Sequence, residues 1–223
     1  GFLISVISTL YSGLDLVYQK IVGQDMRSAE MSIFVQLAKN TDIATGTPGE
    51  HIDRVSKYVY AVCHALEMDD MMAKAYALAS KMHDIGKLAI PHYILTKPAL
   101  LTDRERLIMK CHTDYGAVIL SSFSIKPVFK IAAAIAMYHH EQYDGKGYHG
   151  IAGDKIPLCA RITTVCDAFD ALTTKRDYKE AWSFDSALQY INDNSGSIFD
   201  PQVVDAFNRS VNIIKNIKNG KES

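Results

Sequence analysis

The sequence predicts an all-α helical bundle. Apolar residues recur at three- and four-residue spacing along nearly the whole chain, and strand-like alternation is almost absent. The helical stretches are parted by short loops rich in Gly, Pro, Asn and Asp, which end helices and start turns. The chain shows no internal repeat and no low-complexity tract.

Residues 2–40 carry apolar positions at helical spacing, among them Leu10, Leu14, Val17 and Ile21, and later Ile33, Phe34 and Leu37. The first ~25 residues hold few charges and no chemical motif. Two readings stay open for them: a coupling or dimerising helix inherited from an upstream sensory or receiver domain, or a helix that simply packs on the bundle. The turn-rich segment 40–50 then separates an N-terminal segment, 1–40, from a catalytic part, 41–223. Within the latter, helices are expected at about 51–67, 70–84, 102–122, 126–142, 157–173, 183–194 and 200–218. Loops are expected at 86–91, 144–150 and 194–201.

Hydrophobic residues make up 48% of the 223, enough for a full core. The net charge of −1 provides no broad basic field, which argues against a nucleic-acid polymer and leaves any anionic ligand to a local site. Cys63, Cys111, Cys159 and Cys166 form no CxxC pair and fall in apolar helical patterns; they read as reduced core residues of a cytoplasmic protein. No apolar run reaches the roughly 18 residues of a membrane span. Residues 2–10 are apolar but short and lack a basic flank. The chain opens with Gly1 and not Met, as a piece of a longer protein would.

The chemistry gathers around histidines. His51 precedes Arg54 at the start of a helix, and His83 and Asp84 end one that Gly86 terminates, with Lys87 beyond. His112 is placed in mid-helix, His139 and His140 end the apolar stretch AAAIAMYHH, and Asp167 sits on a helix of small and apolar residues. Imidazole and carboxylate ligate divalent Fe, Mn, Co, Ni and Zn. A mixed N/O set with no thiolate argues for a catalytic site and against a structural zinc. Each residue alone is weak: a lone helical histidine is ordinarily structural, Asp167 could pair with Arg161, and Asp170 shares its face. His64 and His92 have no such context. The argument rests on the ordered set.

That set resembles the HD-GYP subgroup of the HD phosphohydrolases, from about Asp42 to Phe207. The matching segments are HIDRV (51–55), HDIGKLAIP (83–91), ILTKPALLT (94–102), His112 with Gly116, HHEQYDGKGY (139–148), IPLCARITTVCDAFDALTTKRDYK (156–179) and GSIFDPQVV (196–204). The resemblance implies an HD-domain helical bundle with an additional N-terminal helix. It also implies hydrolysis of cyclic di-GMP to linear pGpG, and in some members on to GMP, by a hydroxide bridging two divalent metals. Iron or manganese is favoured; nickel, cobalt and zinc stay open. His83, Asp84, His112, His139, His140 and Asp167 match the metal ligands, and His51 matches the histidine that joins the site in some members. Lys87 matches the lysine on the scissile phosphate; Tyr148, Arg176 and Lys179 match dinucleotide contacts. Arg54, Glu141 and Asp144 are placed to orient ligands by hydrogen bonds, Asp144-Gly145 reading equally as only a turn.

Two departures stand out. Gly-Tyr-Pro reads Gly147-Tyr148-His149 here, replacing a φ-fixing residue by one that does not fix it. A harmless loop change, with at most a modest effect of His149→Pro on rate, is the simpler expectation. Members with three metals carry a glutamate four residues before His51, where this chain has Thr47, which favours two metals and a stop at pGpG. Preference for 3′,3′-cyclic GMP-AMP, a catalytically degenerate sensor of cyclic dinucleotides, and another HD phosphohydrolase acting on nucleotides or ppGpp remain alternatives.

Overall fold

Phe169 organises the core: the rings of Phe184 and Phe207 each lie 5.1 Å from it, centroid to centroid, and that of Tyr58 lies 5.9 Å away. These offset and edge contacts are the arrangements aromatic quadrupoles favour. The computed structural model describes residues 31–46, 49–123, 127–175 and 180–220. The expected helix before residue 31, together with Thr47, Arg176 and Lys179, lies outside them. The chain divides into two units, Gly1–Leu37 and Ala38–Ser223, and the second holds all of the described site residues.

Helix α1 covers 31–44. It is followed by α2 (His51–Ala65), α3 (Asp70–Ser80), a 3₁₀ segment (Ile85–Ala89), α4 (His92–Leu95), α5 (Asp103–Lys110), α6 (His112–Ser121) and α7 (Pro127–Tyr138). A second 3₁₀ turn (Gly153–Lys155) leads to α8 (Leu158–Thr173), α9 (Phe184–Asp193), α10 (Pro201–Arg209) and α11 (Val211–Lys218). No strand occurs among the described residues; a single bridge joins Ser195 and Phe199. The all-α expectation holds. No helix among these residues is long and apolar enough to cross a membrane.

Local chemistry sets the helix starts. Asp69 accepts the Met72 N–H ahead of α3, and Ser183 accepts that of Ser186 ahead of α9. Thr102 and Glu105 form a reciprocal capping box on α5, and Asp200 caps α10 with Pro201 in the first turn. Val55, Val59 and Val62 of α2 are fully buried in one cluster with Ile162 and Val165 of α8 and Val203 of α10. Each such side chain contributes roughly 1.5–3 kcal/mol on burial.

Two expected helices are each broken in two. The helix expected at 102–122 breaks at Cys111, because His112 Nδ1 and the Thr113 hydroxyl bond the Met109 and Lys110 carbonyls from the side-chain direction. The helix expected at 200–218 breaks at Ser210, whose hydroxyl reaches the carbonyls of Ala206 and Ala61. All four cysteines are free; Cys63, Cys159 and Cys166 are buried and Cys111 is partly so.

Candidate metal centre

Glycine decides how the site closes. A Cβ on Gly86 would lie 1.9 Å from the His112 carbonyl oxygen and 2.4 Å from the Gly116 nitrogen, so only glycine lets the first 3₁₀ segment sit against α6. That contact sets the His83–Asp84 turn beside His112. From the other side, α7 ends at Tyr138 and delivers His139 and His140 in the turn that follows. α2 supplies His51 and α8 supplies Asp167.

The seven residues form two sets. Asp84, His112, His139 and His140 offer ligand atoms all within 4.8 Å of one another, and so do His51, His83 and Asp167. The sets adjoin: His83 Nε2 lies 3.4 Å from Asp84 Oδ2 and 3.8 Å from Asp167 Oδ1, and His51 Nε2 lies 3.2 Å from Asp167 Oδ1.

The tautomers are fixed from behind. Nδ1 of His83 donates to Ser80 O at 2.8 Å, that of His112 to Met109 O at 2.8 Å, and that of His139 to Ile135 O and Ala136 O at 3.0 Å each. In the neutral ring that a metal requires, each Nε2 therefore turns its lone pair into the site. The Nε2 atoms of His83, His112 and His139 are buried without a hydrogen bond, and so is Asp84 Oδ1. A buried polar atom left unpaired costs roughly 1–3 kcal/mol, and three of these fall in one ligand set with the fourth in the adjoining set. A divalent cation fits that demand; water would leave the converging lone pairs poorly served.

Behind His51 sits Asp170, fully buried. Its Oδ2 accepts His51 Nδ1 at 2.7 Å, and its two oxygens take Arg54 Nε at 2.7 Å and Nη2 at 2.8 Å. Burial pushes the Asp170 carboxyl up, but the hydrogen bonds from Arg54 and His51 outweigh it and hold the group well below the usual carboxylate range. Asp170, weighed in the sequence as a rival of Asp167, is thus the residue that aims His51. Arg54 acts one step further back, through Asp170. Asp167 is not Arg161's partner: Arg161 bonds Asp154 and Asp200 instead.

Protons divide the two sets. Burial lowers His51 and His83, but neighbouring carboxylates more than offset it, raising His51 to about 10 and His83 to about 9. Burial wins at His139 and His140, both lowered and so neutral. Asp84 is held well below its ordinary range despite burial, chiefly by the charges of Lys87 and His83.

Lys87 donates to Asp84 and lies 3.9 Å from Asp42. Asp42, on α1, is 1% exposed with neither carboxylate oxygen hydrogen-bonded, and burial together with the Asp84 charge raises its pKa. Sequence reasoning gave Asp42 no role; it is one aspartate in a turn-rich stretch, and its burial shows only in the folded chain.

The ring of Tyr148 lies 4.7 Å from that of His140, tilted by 32°. It forms part of the wall of a cleft of about 330 Å³ that opens beside His139, His140 and Asp167 and continues past Leu172 and Tyr190. Glu141 is 2% exposed and spends its carboxylate on the loop, accepting the N–H groups of His149 at 2.7 Å and Ile151 at 2.8 Å, and not on a ligand ring. Asp144 follows the turn reading: its carboxylate holds the backbone N–H and ammonium of Lys146.

A fold of helices around a histidine–aspartate centre of this kind defines a class. The chain matches the HD domain family over residues 27–203 and belongs to it. It is 39% identical over 186 residues to the cyclic di-GMP phosphodiesterase response regulator RpfG of Xanthomonas campestris pv. campestris, covering 83% of this chain and 49% of that protein. It is 36% identical over 182 residues to the 3′3′-cGAMP-specific phosphodiesterase 2 of Vibrio cholerae, covering 81% of this chain and 35% of that protein. Among solved structures, it resembles in fold a cyclic GMP-AMP specific phosphodiesterase of V. cholerae, with TM-score 0.59 and 19% identity over 86% of this chain and 54% of the other. The chain spans half or less of the length of the two curated relatives.

Proposed function

We propose that this chain is a metal-dependent phosphodiesterase that opens a cyclic dinucleotide, cyclic di-GMP first and 3′,3′-cyclic GMP-AMP as the alternative, to a linear product. The observation that carries it is the pair of adjoining ligand sets with buried, unpaired Nε2 atoms, beside a cleft that His139, His140 and Asp167 line. The names of the relatives support the substrate class.

Asp84, His112, His139 and His140 would hold one divalent metal and His51, His83 and Asp167 the other, with iron or manganese favoured. Metals there supply Lewis-acid charge and an activated water. Asp84 lies between the sets and is kept ionised by Lys87. The partly buried Lys87 ammonium would add positive charge beside the reacting phosphate. Asp170 and Arg54 lock His51, so the ring does not reorient as charge develops. Tyr148 stands at the cleft wall as a proposed dinucleotide contact. Arg176 and Lys179 are proposed as phosphate contacts on the resemblance alone. Two metals favour pGpG as the end product over GMP.

The test is product analysis. Metal-loaded protein is given cyclic di-GMP and 3′,3′-cyclic GMP-AMP in separate reactions, and the products are resolved by chromatography. Linear dinucleotide from either supports the proposal, and the relative rates name the substrate. Full metal loading with no turnover of either would leave the sensor reading in its place.

A further inference from the structure

A cyclic dinucleotide carries two phosphodiesters across one macrocycle. The proposed centre accounts for the one being cut; besides Arg176 and Lys179, which lie outside the described residues, the other calls for a cation near the metals but off them. Most cations around the cleft are committed. Lys87 bonds Asp84, Arg54 clamps Asp170 and Lys146 is held by Asp144.

Lys110, the last residue of α5, is different. Its ammonium lies 4.8 Å from the centroid of the Tyr148 ring, which in turn lies 4.7 Å from the ring of the candidate ligand His140 and 6.4 Å from that of His112. Two ring-scale contacts thus lead from the metal centre to Lys110. It is exposed, and no carboxylate of the described residues pairs with it. Its backbone is held in place: the Thr113 hydroxyl donates to the Lys110 carbonyl at 3.0 Å. Having given its one proton there, Thr113 Oγ1 accepts from His149 Nε2 at 3.2 Å. The end of α5 is therefore tied to the loop that carries Tyr148, which sets the Lys110 backbone beside that ring.

Resting on the functional reading above, we infer that Lys110 binds the second, uncut phosphodiester of the cyclic dinucleotide, with Tyr148 between it and the metal centre. The residue is a substrate-binding group and takes no part in bond cleavage. It selects for a ligand with two phosphates over one with a single phosphate.

The test compares Lys110→Gln, Lys110→Arg and the unaltered protein, with metal content measured in each. Two ligands are used: cyclic di-GMP, read by KM and kcat, and linear GpG, read by competitive inhibition. GpG keeps both bases and one diester but lacks the second phosphate. In Lys110→Gln, KM for cyclic di-GMP rises about tenfold, the scale of one charge-assisted contact, with kcat near its original value. Ki for GpG and metal content stay unchanged, KM loses part of its salt dependence, and Lys110→Arg restores KM. An equal loss on both ligands would mean that Lys110 only positions Tyr148, and an unchanged KM would remove it from the site; either overturns the inference while the functional reading stands. Unaltered protein that neither cleaves nor binds a cyclic dinucleotide would overturn both.

Discussion

The Glu141 carboxylate, buried behind the cleft, accepts the backbone N–H of His149 at 2.7 Å. A proline at position 149 has no N–H to give. The chain thus has its own way of holding the loop: Glu141 gathers His149 and Ile151, and the His149 ring reaches Thr113. The close approach at Gly147, where a Cβ would meet the Glu141 Cα at 2.4 Å, completes it.

His149→Pro therefore costs more in stability than a loop change suggests. Losing one hydrogen bond to a charged acceptor destabilises by about 1.5–3 kcal/mol, several degrees in Tm for a chain of this size. His149→Gln keeps the N–H and loses much less. The effect on kcat stays modest, since no metal ligand leans on this bond. Thermal unfolding of the two variants checks the order, and equal Tm values would show that the Glu141 contact contributes nothing.

Asp84→Ala is expected to remove metal and activity together. The carboxylate lies 3.2 Å from His112 Nε2 and 3.4 Å from His83 Nε2, so no other side chain stands between the two sets in this way. Metal analysis and turnover on one preparation decide the matter. Retained turnover would remove Asp84 from the centre.

Metal uptake should depend on pH in one half of the site more than in the other. In the metal-free protein His51 and His83, raised to about 10 and about 9, carry protons at neutral pH that ligation must displace. His139 and His140 are already neutral. Affinity at the His51–His83–Asp167 half therefore rises with pH up to about 10, while the other half responds less. Calorimetric titration in buffers of different ionisation enthalpy reads the protons released. No proton release at either step would contradict the assignment.

Arg54→Ala leaves the Asp170 charge buried beside His51 and should destabilise the protein by about 3–5 kcal/mol. The acid side follows from the same group. An aspartate near 3.9 when unfolded and well below that when folded contributes stability above about pH 4, which is lost as pH falls toward the folded value. Between pH 6 and 3 the unfolding midpoint of Asp170→Asn should fall less steeply than that of the unaltered protein. Parallel curves would count against the linkage.

The legible parts of the molecule were those carried by periodicity or by residue type. Helical spacing marked most helices and the loops between them, because the apolar faces repeat over many residues. The histidines and aspartates of both ligand sets were visible as chemistry. Their exact setting was not: His112, expected in mid-helix, begins α6, and His83 and Asp84 lie in a turn past the end of α3 at Ser80. Those shifts come from ring-to-carbonyl hydrogen bonds that periodicity does not register. Asp170's role behind His51 and the burial of Asp42 depend on contacts far apart in sequence. Lys110 looks like any charged residue on a polar helix until Tyr148 is folded under it.

The most direct test of the two-set centre is a metal titration read by turnover. Protein stripped of metal is loaded stepwise with manganese, or with iron under anaerobic conditions, and cyclic di-GMP hydrolysis is followed at each step. The expected result is activity that climbs to a plateau at about two metals per chain, the stoichiometry of a two-metal site, with linear dinucleotide as the product. Saturated metal with no hydrolysis, or a plateau at a single metal, would contradict it.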